Sequence, residues 1–548
     1  MRLRLLLTAI VLVPGLMADG LNGPVFPTPS YFRDHFATPK VRVELQPPAR
    51  LEDFLTDGTL ELSLRQYLEL VMANNTDIAI QRLSLETPRN AILRAYGTFD
   101  PALTADFTNR RSRDATTSAL QGATLLSQLT QNANFRYTQT LESGTQYNVA
   151  FAGSKNASNN QFATFNPALN AQLTFGLTQP LLRNRGPAIA RLPIMLARSR
   201  LRQSEYNLED QLMRLILTAE TAYWDVIESR ERLRVQQENL KLTDAALKRA
   251  QRELELGAIS PLDIYRPQQQ YAQAEIQVSQ FQFQLAERED ALRRQIGADL
   301  DPRIRRLPIV LTETVSPIID PAPVDKESAV EMALASRPDL KSTLQSLDTD
   351  ELNLKSATNA LRPDLSLTGS YVSQGRGGWF FQRANVFGQQ QLVRTVPGGF
   401  GDALDQLFGF GLPVYQFGLS LRLPIRDRRA QADLADAIVQ KRLNTLRARN
   451  VEQTVRLDVL NAINRVESAK AGVQLARVAR DFAQKEVEAE QKKYDLGTTI
   501  LYFVLEAQTR LTNAEATLVT QSISYRRALL NLTRVTGQLL EDRGIVVQ

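Results

Sequence analysis

Two hydrophobic periods alternate along this chain, and their order is written twice. In "LRQYLELVMANN" the apolar residues Leu64, Leu68, Val71 and Met72 recur at helical spacing. A further amphipathic stretch runs to about Ala95. The period then falls to two in "FDPALTADFTN", where Pro101 suits the first residue of a strand because no ladder donor is needed there. The segment "ANFRYTQTLESGTQYNVAFAG" (133–153) reads as a hairpin turning near Ser143 and Gly144. The alternating run "LNAQLTFGLTQPLL" follows. From about Ala188 to Glu255 there is no Gly and a single early Pro, Pro193, which predicts one helix of roughly 100 Å at ~1.5 Å per residue. Its apolar seam is Leu212, Ile216, Ala219, Tyr223, Val226, Leu233, Leu240, Leu247 and Leu254, in steps of three, four or seven, with polar breaks at Arg230, Gln237 and Asp244. A helix this long needs neighbours along its length.

The second half repeats this text. With a shift of 262, "LELVMANNTDI" lies over "VEMALASRPDL", so that Glu69, Ala73 and Asp77 meet Glu331, Ala335 and Asp339. With a shift of 240, Leu256-Gly257 meets Leu496-Gly497, and Gly297 meets Gly537. "RPDLSLTGSYVS" and "VYQFGLSLRLPI" are the second pair of strands, and about 429–495 the second long helix, with Val459, Ile463, Val466, Val473 and Val487 on the same seam. The chain is therefore a tandem duplication. Its segments read as 1–18 signal peptide, 19–61 Pro-rich arm, 62–297 first copy, 298–324 linker, 325–537 second copy and 538–548 tail. Pro101 to Pro180 spans 79 residues and Pro363 to Pro424 spans 61, so the first copy carries 18 more residues between its outer strands. The 133–153 hairpin accounts for such a length, but whether it joins the sheet is open at this level. "GGFGD" (398–402) reads as a flexible loop.

Composition narrows the chemistry. Without Cys there are no disulfides, thiolate metal sites or cysteine nucleophiles. The one His, His35, lies in the Pro-rich arm and reads as a solvated residue rather than a ligand. A net charge of +6 on 548 residues, without a dense basic tract, argues against nucleic acid as a partner. No phosphate loop, zinc-binding helix or nucleophile elbow is found, so neither an enzyme nor a cofactor is expected. Arg2 and Arg4 followed by the apolar run Leu5 to Met17 and Ala18 form a secretory signal layout. No other apolar run approaches a transmembrane helix in length.

An exported chain with alternating strands and no apolar helix points to a transmembrane β-barrel, which takes about eight strands or more. At least four strands are legible, and four cannot close without leaving polar edges in lipid. Three chains would bring twelve. The loop "GGWFFQRANVFGQQQ" (377–391), with Trp379, Phe380, Phe381 and Phe387, suits a membrane–water interface.

The two copies and the tips "LGAISPLDIYRPQQQY" and "LGTTILYFVLEAQTRL" resemble the TolC family of outer-membrane efflux channels, over about 62–537. The resemblance implies an α+β membrane protein of tandem helix–strand–strand–helix repeats. It implies a homotrimer whose subunits each give four strands to one β-barrel, continued by a long α-helical barrel in the periplasm. Gly257, Ala258, Ile259 and Ser260, with Gly497, Thr498, Thr499 and Ile500, match the tip that meets a periplasmic adaptor (membrane fusion) protein, which links to an inner-membrane pump. Asp263 matches an aspartate of the closed gate and Tyr494 its tyrosine partner. The arginine of that latch is replaced by Thr499. Of two acidic positions at the constriction one is Phe503, and Glu506 keeps its charge. A gate of Asp263, Tyr494 and Glu506 is thus expected, without the usual ion pair. The function implied is a passive conduit of a tripartite efflux or type I secretion system in contact with outer-membrane lipid. The alternative is an exported coiled-coil scaffold or adhesin with no conduit.

Overall fold

The computed structural model describes residues 51–56, 59–115, 123–257, 259–299, 302–315, 325–386 and 389–545. The signal peptide, most of the arm, Ala258 and Phe387 lie outside the described residues. All that follows belongs to one compact unit, Pro48–Gln548.

The first copy opens with three short helices, α1 (Leu64–Asn74), α2 (Thr76–Ser84) and α3 (Glu86–Tyr96). Ser63 caps α1 in a reciprocal exchange with Gln66. Asn75 both ends α1 and caps α2, its Oδ1 accepting from the Asp77 and Ile78 amides. Strands β1 (Ala102–Ala115), β2 (Leu125–Thr140), β3 (Gln146–Ser158) and β4 (Ala168–Pro180) follow. Then come the long helix α4 (Leu192–Glu255) and α5 (Tyr265–Gln295). The second copy supplies α6 (Lys326–Ser336), α7 (Pro338–Ala360), β5 (Asp364–Gly377), the hairpin β6 (Phe380–Val386) and β7 (Gln389–Val396), α8 (Phe400–Phe408), β8 (Pro413–Arg422), the 68-residue α9 (Arg428–Asp495) and α10 (Leu501–Val535). Among the described residues no helix is long and apolar enough to cross a membrane.

The main correction concerns strand number. One six-stranded antiparallel sheet runs β8-β5-β4-β3-β2-β1, so the chain gives six strands to it, not four. The hairpin at 133–153 is longer than its sequence pattern shows. It forms β2 and β3 and sits between β1 and β4, paired on both sides. A second correction concerns "GGFGD". It is the N-terminus of α8, where the Asp402 carboxylate accepts the Gly399 amide at 2.7 Å.

The sheet has two unlike faces, because alternate residues point opposite ways. Following the register, one face carries Leu103, Ala105 and Phe107 on β1, Phe135 and Tyr137 on β2, and Val149 and Phe151 on β3. It continues with Leu173, Phe175 and Leu177 on β4, Leu367 and Tyr371 on β5, and Tyr415, Phe417, Leu419 and Leu421 on β8. Most of these are exposed, Phe417 at 81% and Phe107 at 67%. The opposite face is made of Thr104, Asp106, Thr108, Asn132, Asn134, Asn148, Asn170, Gln172, Ser366, Thr368 and Gln416. One side is thus built for an apolar surrounding and the other for water.

Helix α8 lies on the apolar face near the strand ends far from the long helices. Ala403 and Leu407 pack there against Ala171, with Phe151 and Leu173 beside them, and the Ser373 hydroxyl donates to the Leu407 carbonyl at 2.6 Å. Glycine is required beneath it: a Cβ at Gly375 would lie 1.9 Å from the Ala403 oxygen and one at Gly377 2.1 Å from the Gly399 oxygen.

The thickest core lies midway, where α1 and α4 meet a small sheet. Thr59–Leu62 pairs in parallel with Ile309–Leu311, so part of the segment read as linker is a strand. Leu62, Tyr67, Leu70, Ile216 and Tyr223 are fully buried in this cluster. On α4 the heptad seam is buried from Leu212 to Val226. Below Arg230 the buried positions become Val235, Thr243 and Ala250, and Leu233, Leu240, Leu247 and Leu254 are half-buried. A straight helix drifts ~20° per heptad against a strict seven-residue repeat, which moves the seam.

Candidate functional site

The helical tips are built by a backbone demand. Both α4 and α9 end at a leucine followed by glycine, Gly257 at φ +70° and Gly497 at φ +73°. Left-handed geometry after a helix closes the last carbonyls in few residues. The Gly497 amide donates to the Tyr494 carbonyl at 2.9 Å and the Thr498 amide to the Lys493 carbonyl at 2.9 Å. Nothing lies within 4 Å of a Cβ added at either glycine, so conformation rather than space selects Gly here. The turn after α9 is short, since α10 begins at Leu501. The turn after α4 continues through Ile259, Ser260 and Asp263 to α5 at Tyr265. Ala258 lies outside the described residues. Leu256 (82% exposed), Leu262, Leu496 and Ile500 stand in solvent at these turns. Four large apolar side chains at two neighbouring turns make a surface suited to a partner.

The expected gate residues fall into three separate arrangements. Asp263 serves its own turn: its carboxylate accepts the Ser260 amide at 3.2 Å and its amide donates to the Ser260 carbonyl at 2.9 Å. Tyr494 does not turn to Asp263. Its hydroxyl donates to the two Glu253 oxygens at 2.9 and 2.8 Å, and the Arg249 guanidinium lies 4.4 Å over its ring. Arg249 also bonds Glu253 at 3.0 Å and Asp495 at 3.3 Å. Four residues thus clamp the end of α4 to the end of α9. Burial and the hydrogen bond to Glu253 push the Tyr494 hydroxyl up to about 12. Glu506 is paired on its own helix with Arg510 at 2.8 Å, and Arg510 reaches across to Glu486 on α9 at 2.7 Å.

Sequence reasoning missed Arg249 and Glu253. Their i,i+4 spacing was visible, but the positions 240 residues on are Ala489 and Lys493, so the duplication gives no echo of the clamp. It did mark Gly297 and Gly537, which take φ +70° and φ +81° after α5 and α10. A Cβ on Gly537 would lie 3.0 Å from the Arg337 amide, where α6 meets α7, and one on Gly297 would touch Asn74 at the end of α1. The two copies therefore use the same close approach twice.

Comparison with known proteins agrees with this architecture. The family described as outer membrane efflux protein matches residues 68–298 and 329–538, one segment in each copy. The outer membrane efflux protein BepC of Brucella suis biovar 1 (strain 1330) is 22% identical over 356 residues, 65% of this chain and 69% of that protein. The Campylobacter jejuni CmeC outer membrane channel superposes with a TM-score of 0.60 at 15% identity, covering 89% of this chain and 87% of that one. The open state of the Neisseria gonorrhoeae MtrE outer membrane channel gives a TM-score of 0.58 at 17% identity, covering 87% and 89%. At these identities the structural likeness speaks for the fold, and the family match speaks for kinship. Since the matched segments take in most of its length, the chain belongs to the outer membrane efflux protein family.

Proposed function

We propose that three copies of the chain close one barrel and one tunnel, forming the passive outer-membrane conduit of a tripartite efflux system. The observation that carries this reading is the sheet: apolar on one face, polar on the other, and open at both edges. Strands of 10 to 16 residues are long enough to cross a bilayer, which takes about 9–11 tilted residues. A single sheet of this kind would leave unpaired edge groups in lipid, so it calls for other copies. Helix α9 makes the same demand. Val439, Leu443, Leu446, Leu457, Leu460, Leu475, Val478 and Phe482 are exposed at steps built from threes and fours, a stripe fit for the neighbouring copy's helices.

In this reading the apolar face meets lipid, the polar face lines water, and α4, α5, α9 and α10 wall a periplasmic tunnel. The turns at Gly257, Ala258, Ile259 and Ser260 and at Gly497, Thr498, Thr499 and Ile500 dock the hairpins of an adaptor, which in turn engages an inner-membrane pump. Tyr494 holds the tip through Glu253 and Arg249, Asp263 stiffens its turn, and Glu506 sets three partly neutralised carboxylates near the opening. The test is direct. Purified protein is expected to run as a trimer and to give ion-conducting pores in planar bilayers. Gly257→Leu and Gly497→Leu are expected to keep the trimer and lose efflux. A monomer that never conducts contradicts the channel, and glycine variants that pump normally contradict docking at the tips.

A further inference from the structure

We propose that the hairpin of β2 and β3 stands in the barrel wall, so that the closed barrel holds eighteen strands, six from each of three copies, and is wider than its tunnel. The inference rests on the trimeric reading above and adds the wall's composition to it.

Four observations carry it. First, β2 and β3 are interior strands. The ladder is continuous from Gln128↔Ser158 to Thr140↔Gln146, and each strand is also paired on its other side, to β1 and to β4. Removing the hairpin would strip both neighbours of their backbone partners, which is costly away from water. Second, the hairpin obeys the facing of the whole sheet. Phe135 and Phe151 are neighbours on the apolar side with ring centroids 6.4 Å apart, while Asn134 and Asn148 point to the polar side. A hairpin folded into the lumen or over the outer rim would have no need of one dry face.

Third, the hairpin spans the full height of the sheet. Its turn lies at the strand ends nearest the helices and is fastened there. The Thr145 hydroxyl donates to Gln179, Glu142 pairs with Arg191, and Gly144 at φ +85° sits so close that a Cβ would lie 2.8 Å from the Asn184 carbonyl. Fourth, the two open edges fit each other. In the alternating antiparallel order of the sheet β1 and β8 run in opposite directions, so β1 of one copy continues the pattern beside β8 of the next. Both put their large apolar residues on the same face, Phe107 on β1 and Phe417 on β8. The only Pro in either strand is Pro413, the first residue of β8.

The consequence is a matter of circumference. Barrel diameter grows about linearly with strand number, and barrels of 16–18 strands leave an aqueous channel. Eighteen strands give a lumen about 1.5-fold wider than twelve. The hairpin adds no helix, so the tunnel gains nothing, and the barrel becomes a vestibule broader than the duct that feeds it. Its polar face is mostly Asn, Thr, Ser and Gln, which suits bulky cargo without strong selection by charge.

The chain has no Cys, so single cysteines report without background. Trimers in liposomes carrying Asn134→Cys, Ala150→Cys, Phe135→Cys or Val149→Cys would be treated with a water-soluble maleimide. The first two are expected to react at least 10-fold faster than the last two. In parallel, Ala105→Cys paired with Phe417→Cys, Leu419→Cys or Leu421→Cys is expected to give inter-subunit disulfides on oxidation. If the trimers conduct and the β1–β8 seam cross-links, but all four hairpin positions react alike, the hairpin is outside the wall and this inference falls alone. If no trimer forms and no pair cross-links, the channel reading falls with it.

Discussion

Each copy of the duplication has an insertion in the same topological place, between its two outer strands, and the two insertions have opposite fates. In the first copy the chain leaves β1, returns through the sheet as β2 and β3, and reaches β4. In the second it leaves β5, forms the short hairpin β6–β7 and then α8, and reaches β8 without entering the sheet. Length separates them. β2 and β3 have 16 and 13 residues, whereas β6 and β7 have 7 and 8, below the about 9–11 that a membrane strand requires. The second insertion instead covers the sheet from outside, where α8 rests on Gly375 and Gly377. Phe400, Phe408, Phe410 and Leu412 of that region are exposed, and the Phe410 ring lies 6.1 Å from that of Tyr371 on the apolar face. In one half the duplicated chain lengthens its sheet and in the other it covers it; in the proposed barrel the first would widen the wall.

The largest expected effect comes from placing a charge on the apolar face of the inserted strand, clear of α8. Val149→Arg, on the face of Tyr137 and Phe175, should cost about 2–4 kcal/mol at mid-membrane and reduce trimer yield in outer membranes more than 10-fold. Ala150→Arg, one residue away on the polar face, and Gln382→Arg on β6 should leave the yield within twofold. Quantifying heat-stable trimer in membrane fractions checks all three. Equal loss at positions 149 and 150 would break the distinction between the two faces.

A smaller effect is expected in the second insertion. Gly375→Val drives a side chain into the Ala403 backbone, an overpacking of about 1–3 kcal/mol, relieved by detaching α8. Proteolysis within 378–412 should quicken at least 10-fold while trimers persist. If trimers are lost instead, α8 holds up the wall rather than covering it.

Much of this comparison was legible in the residues. The duplication, the two long helices, the paired glycine turns and the 18-residue excess all follow from periodicity and offset. The hairpin turn at Ser143 and Gly144 was visible because its flanks alternate. Its place in the sheet was not, because strand partnership depends on long-range register and no local pattern states it. Helix α8 was hidden by the glycines of "GGFGD", which read as a loop, while the strand glycines Gly375 and Gly377 that leave room for it carry no local sign of a helix above them. The tip was legible as a turn and less so as a site. Tyr494 was singled out, but its partners Arg249 and Glu253 lie in the other copy, at positions with no echo there.

That clamp carries the next prediction. With its hydroxyl pushed up to about 12, Tyr494 stays protonated in the folded tip. Its stabilising contribution is complete below the unfolded value of about 10 and is lost as pH rises from there through about 12. Pore conductance should therefore show no Tyr494-dependent change from pH 6 to 9, and Tyr494→Phe should abolish any opening seen above pH 10. An opening near neutrality that Tyr494→Phe removes would contradict the assignment. The smallest effect belongs to Glu506. Arg510→Met removes its partner, and the cation-to-anion permeability ratio should rise about twofold in bi-ionic potentials, by exposing the carboxylates to the pore.

The most direct measurement of the central claim is an electron cryomicroscopy map of the trimer in lipid nanodiscs, with strands counted around the barrel. Eighteen are expected, with Phe135 facing the lipid belt, Phe151 on the same side beneath α8, and Asn134 and Asn148 facing the lumen. Twelve strands, with residues 125–158 folded off the wall, would contradict it.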